Sequence, residues 1–173
     1  GYPNGGLRLE FTYQTGDEIE RKVAELYKSE LAKLNIDLEI TGMPWETQWS
    51  KAKNPDPKDR QDLFAQYWWP DMPSPYSYLF NQYHSETSIL YNMGYYTNKQ
   101  FDDLIDKANA LAATDREKSE QMFIESQKIL FDDAPSINVA DLDSVWVINK
   151  SFKGFKYNPL YQQVVFFYDT YRE

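Results

Sequence analysis

Tyr67, Trp68, Trp69 and Asp71 set three aromatic side chains and a carboxylate within five consecutive positions. They follow a short apolar run, Leu63–Ala65, that reads as a buried strand. Pro70, Pro73 and Pro75 then punctuate the segment, three prolines in six residues. Proline fixes φ and removes an amide donor, so such a loop is stiff and has few amides for internal pairing. Flat apolar faces beside one charge, held on a stiff loop at a strand end, are the parts of a small-molecule binding site. A purely structural reading stands beside this one. Both tryptophans would then be core residues and Asp71 would cap a turn.

Other reactive residue types are weaker candidates. His84 is the only histidine and lies in a polar stretch with Ser85 and Glu86. It reads as a surface or helix-end residue, because metal sites recruit several convergent ligands. Asp102, Asp103 and Asp106 fall on the first turns of a helix starting near Asn98, where carboxylates suit the positive dipole end. They read as a solvated helix face. Lys51, Lys53, Lys58 and Arg60 form a mild basic patch that reads as solubilising. No GxGxxG, P-loop or GxSxG pattern occurs, and one histidine does not assemble a triad. A glycoside hydrolase needs two carboxyls facing each other across a cleft, about 5–10 Å apart. Asp71 is the one carboxylate the sequence puts on a strand-end aromatic loop. No catalytic residue, metal ligand or cofactor is assigned, and the chain reads as a non-enzyme.

Composition narrows the classes further. A net charge of -9 and a pI near 4.7 argue against a phosphate-contacting face, so no nucleic acid is expected as partner. Cysteine is absent, which removes disulfides, thiolate metal sites and cysteine nucleophiles. No apolar stretch approaches the roughly 20 residues of a membrane helix. The sequence starts at Gly1 without methionine, so its first residue reads as a cut or processed end, and a missing signal peptide excludes nothing. Aromatic residues make up 17%, including 14 tyrosines and 5 tryptophans. Flat amphipathic rings give contact area at low entropic cost, which suits a ligand-gripping surface.

Strands and helices that would position the loop alternate along the chain. Leu7, Leu9, Phe11 and Tyr13 alternate with Arg8, Glu10 and Thr12, the period of a strand with one buried face. Thr15 and Glu18 fit a capping box, and Ile19, Val23, Leu26, Tyr27, Leu31 and Leu34 predict a helix over 17–34 that ends at Asn35. Ile36, Leu38 and Ile40 predict a second strand, completing a βαβ unit with parallel pairing. A short helix over 45–52 and a proline-broken loop over 54–60 lead to a third strand over 62–68. Its carboxyl end carries the aromatic loop, where ligands gather in open α/β sheets. Asn98 predicts the cap of a helix with Phe101, Leu104, Ile105, Ala108 and Leu111 inward. Thr114 and Glu117 predict another capping box, with Met122, Phe123, Ile129 and Leu130 inward until Ala134-Pro135. Residues 137–140, 145–148 and 164–168 read as further strands. The expected fold class is α/β, with a mixed, mainly parallel sheet flanked by helices.

Several stretches, in this order, resemble the C-terminal lobe of the family 5 extracellular solute-binding proteins. Gly1-Tyr2-Pro3-Asn4-Gly5 before a strand is similar to the opening of that lobe. Tyr95-Tyr96-Thr97-Asn98-Lys99-Gln100-Phe101-Asp102-Asp103-Leu104 resembles the family's Tyr-Ser-Asn-Pro-Glu-Phe-Asp-x-Leu segment. Gln127 to Pro135 resembles its helix-to-strand junction ending in Asp-Ala-Pro, and Lys153-Gly154-Phe155 with Asn158-Pro159 resembles its closing segment. Together these cover nearly the whole chain.

The resemblance implies a periplasmic-binding-protein-like lobe, with residues 1–142 as the C-terminal ligand-binding lobe. Residues 143–173 would be a return segment towards the hinge and an N-terminal lobe beyond this chain. It further implies the substrate-binding component of an ABC importer, working with a permease, extracytoplasmic and either periplasmic or lipid-anchored at the cell surface. Family members bind peptides, nickel or sugars. Peptide-binding members carry Trp-x-x-Asp after this strand, and the aspartate pairs with the ligand's α-ammonium. The pattern falls on Trp68-Trp69-Pro70-Asp71. Asp71 would then meet the ammonium, Trp68 would line the cleft, and the backbone of Tyr67–Trp69 would bond an extended peptide like an added strand. Pro70 removes one donor from that loop. Trp69 equally suits stacking on a sugar ring, so an oligosaccharide remains an alternative ligand to an oligopeptide or dipeptide.

Overall fold

β1 (Leu7–Gln14) and β2 (Ile36–Met43) run parallel in unbroken register, from Leu7 opposite Ile36 to Gln14 opposite Met43. Parallel neighbours need a crossover, and α1 (Glu18–Ala32) supplies it. The description comes from a computed structural model and covers residues 2–69, 71–158, 161 and 164–173. Within these the chain forms two compact units, the first up to Trp69 and the second from residue 70 onwards.

In the first unit the sheet order is β2-β1-β3, with β3 (Leu63–Phe64) parallel to β1 at the edge. Phe11, Ala24 and Leu38 form the core, with Leu9, Val23, Tyr27, Leu31 and Ile40 packed around them. Phe11 and Tyr27 approach to 5.9 Å between ring centres. The opposite face of β1 is covered too. α2 (Trp45–Ala52) lies there, its Lys51 paired with Glu10 and its Gln48 fully buried. That is why Thr12, on the side expected to face water, is completely buried.

α1 is capped two residues later than its capping box predicts. Asp17, not Thr15, is the cap, and its Oδ1 accepts from the amides of Ile19 and Glu20. Asn35 ends the helical stretch in the left-handed conformation, φ 58°, which asparagine tolerates. The helix turns Glu20, Val23, Ala24, Tyr27 and Leu31 inward and leaves Ile19, Leu26 and Leu34 exposed. β3 is also shorter than the expected 62–68. As an edge strand it is covered incompletely, and Leu63 stands exposed rather than buried.

The second unit is built on α3 (Pro75–Tyr83), α4 (Lys99–Leu111) and α5 (Arg116–Asp133). Leu79, Tyr83, Phe101, Ile105, Ala108 and Phe123 form its core. Asn98 caps α4 as expected, whereas Asp115 takes the cap of α5 from Thr114. Small residues let α4 and α5 approach closely, and the Ser119 hydroxyl donates to the Ala108 carbonyl at 2.7 Å. Ala134 closes α5 in the left-handed conformation.

β4 (Phe152–Lys153) and β5 (Tyr171–Arg172) form a separate antiparallel pair. The principal sheet is therefore wholly parallel, and the antiparallel pairing of the α/β fold stays in this pair. The strands expected over 137–140, 145–148 and 164–168 do not form. Residues 167–169 make a single 3-10 turn instead. Their β-branched and aromatic content is real, but none of these segments pairs with a strand. Ile137, Val139, Val145 and Val147 stand exposed.

Candidate ligand-binding site

The carboxyl ends of the three parallel strands share one edge of the sheet, and residues 65–69 leave from there. The start of that segment is pinned on two sides. The Ala65 amide donates to the Thr12 carbonyl at 3.3 Å, and the Ala65 carbonyl accepts from Gln48 Nε2 at 2.9 Å. Gln48 is itself held, its backbone carbonyl accepting from Gln61 Nε2 at 3.1 Å.

Two residues further on, the Tyr67 hydroxyl donates to Asp17 Oδ1 at 3.2 Å. Burial, then the neighbouring Asp17 carboxylate, pushes the Tyr67 phenol up to about 12, so it is a neutral donor at physiological pH. Behind it, Glu20 accepts from the Gln14 amide at 2.7 Å. Burial raises the Glu20 carboxyl above its ordinary range, opposed by that amide. Trp68 is half-buried and Trp69 is 58% exposed. Trp69 is thus not a core residue. Trp45 and Trp49 of α2 pack with tilted rings, centres 5.0 Å apart.

Tyr67, Trp68 and Trp69 close the first unit and Asp71 opens the second. Pro70, expected to stiffen the loop and remove a donor, lies outside the described residues, as do Gly1 and Pro159 of the resemblance motifs. Asp71 is exposed and caps no helix, since Ser74 caps α3. Its Oδ2 accepts from Asn81 Nδ2 at 3.0 Å, which orients the carboxylate against α3.

Asp17 and Asn81 were not legible in the sequence as the partners of Tyr67 and Asp71. Asp17 sits in a recognisable helix start, but nothing in the sequence ties it to a tyrosine fifty positions away. Asn81 carries no signal beyond lying in the first helix after the loop.

The remaining candidates have local partners. His84 ends α3 and stacks on Phe80, ring centres 4.5 Å apart. Asp102 accepts from the Ser85 amide, Asp103 pairs with Lys99, and Asp106 accepts from the Tyr76 hydroxyl at 3.0 Å. Two of these three carboxylates are therefore tied to other segments rather than only solvated. In the basic patch, Lys51 pairs with Glu10 and Arg60 Nε donates to the Asn54 carbonyl at 2.7 Å. Among the described residues no cluster of three or more His, Cys, Asp or Glu is arranged to hold a metal. Among them, too, no helix is long and apolar enough to cross a membrane.

Residues 1–89 match the family described as bacterial extracellular solute-binding proteins, family 5 Middle. The probable D,D-dipeptide-binding periplasmic protein DdpA of Escherichia coli K12 is 29% identical over 90% of the chain, and a dipeptide-binding protein of the same organism 26% over 81%. The chain spans only 29% and 25% of their respective lengths. Among solved structures, the periplasmic binding protein DppA of Helicobacter pylori, in complex with peptide STSA, covers the whole chain at a TM-score of 0.75 and 23% identity. The murein tripeptide binding protein MppA of Escherichia coli covers 98% at 0.70 and 19%. The chain spans 32% and 31% of those two proteins, and at such identities they share its fold alone. The match over residues 1–89, more than half the chain, is decisive: this chain belongs to the family 5 bacterial extracellular solute-binding proteins.

Proposed function

We propose that this chain forms part of the substrate-binding component of an ABC importer, capturing an oligopeptide or dipeptide outside the cytoplasm and handing it to a permease. One observation carries the reading. In a member of this family, an aromatic segment leaves the carboxyl end of an edge strand and is followed two residues later by an oriented, exposed carboxylate. The backbone of Tyr67–Trp69 receives the peptide as an added strand, Trp68 and Trp69 give it apolar area, and Asp71 pairs with its α-ammonium. The dipeptide and peptide names of the reported relatives support a peptide over an oligosaccharide, and nothing supports hydrolysis.

Residues 143–173 act as a return segment towards a second lobe, in keeping with the exposed apolar side chains of Val145 and Val147. The ligand is then enclosed between lobes by hinge closure. Native mass spectrometry of the full protein purified from its host tests the reading. A co-purifying mass that fragments as a peptide is expected. A retained sugar, or none together with no binding from a peptide library, would overturn it.

A further inference from the structure

Past Ala65 the aromatic segment has left the β1 ladder. Two residues on, the Tyr67 hydroxyl is tethered to Asp17 Oδ1. That oxygen is already fixed, because the Ile19 and Glu20 amides each donate to it at 2.9 Å. Its carboxylate charge strengthens the bond from the phenol. Helix capping does not by itself require an aspartate here, since serine and asparagine cap about as well. What serine lacks is the length to reach Tyr67.

We infer that Asp17 is a positioning residue for the aromatic loop: by holding the Tyr67 hydroxyl against the start of α1, it sets the direction in which Trp68 and Trp69 leave the sheet. Its effect on affinity rests on the proposed peptide reading. Its effect on the loop does not, because the tether joins two residues of this chain.

The test uses the full protein labelled with 5-fluorotryptophan, with the two loop signals assigned through Trp68→Phe and Trp69→Phe. Without ligand, Asp17→Ser and Tyr67→Phe should each shift or broaden those two fluorine signals. The double variant should go no further than either single one. Asp17→Asn, which keeps an acceptor oxygen at the same reach, should restore them. The melting temperature of Asp17→Ser should stay close to that of the parent because the cap survives. Calorimetric affinity for a dipeptide should fall about threefold to tenfold in each single variant, the cost of reordering one side chain and its loop, and no further in the double. Unchanged loop signals in Asp17→Ser, or additive effects in the double variant, would overturn the inference. A protein that binds no peptide but shows coupled signal changes would refute the peptide reading and uphold Asp17 as the loop's tether.

Discussion

Asp71 has one carboxylate oxygen held by Asn81 and faces solvent, the arrangement that lets a carboxylate meet a cation with little reorientation. Removing one partner of a desolvated charge pair costs about 3–5 kcal/mol, or two orders of magnitude or more in affinity. Asp71→Asn in the full protein should therefore lose that much peptide affinity by calorimetry while melting as the parent does. Two other carboxylates respond to pH with opposite signs. Hydrogen bonds from the Tyr96 hydroxyl and then Asn98 hold the Asp133 carboxyl below its ordinary range. Its contribution to stability is present above the ordinary carboxylate range near pH 4 and is lost as pH falls through the lowered value. Burial raises Glu20, so its contribution is present at acid pH and is lost as pH rises through the raised value. Urea unfolding across that range should show a flatter acid limb for Tyr96→Phe. Glu20→Gln should gain on the parent as pH rises. Parallel profiles for parent and variants would contradict both assignments.

At the scale of elements, segments 137–140 and 145–148 have strand sequences without a strand. If the return-segment proposal holds, the partner of 145–148 lies in the rest of the full protein. Hydrogen exchange should be fast over 145–148 in this chain alone and slowed in the full protein. Equal exchange in both would count against the proposal. The same segments show where sequence reading stops. Alternation and helical spacing located β1, α1, β2, α4 and α5 because each buries a face against a neighbour in this chain. Such patterns report that a segment will be covered, not by what. Both capping boxes were displaced by one or two residues for a single reason: an aspartate follows each threonine, and a carboxylate is the stronger partner for the first-turn amides. The aromatic loop was legible from residue types alone. Asp17 and Asn81 were not, because each acts through a contact that only the fold creates.

For the whole molecule, the chain spans less than a third of the relatives it matches, and effective pockets enclose about 70–90% of a ligand. The chain by itself should bind peptides weakly. Micromolar or tighter binding in a titration of the isolated chain would contradict a ligand enclosed between lobes. We propose that a peptide is held by its free amino end at Asp71. Calorimetric titration of the full protein with one peptide, with its amino terminus free and again acetylated, tests it most directly. Acetylation should cost the parent protein about two orders of magnitude in affinity, and Asp71→Asn should bind both forms with nearly the same weak affinity. Equal affinity of the parent for the free and acetylated peptides would show that Asp71 does not hold the amino end.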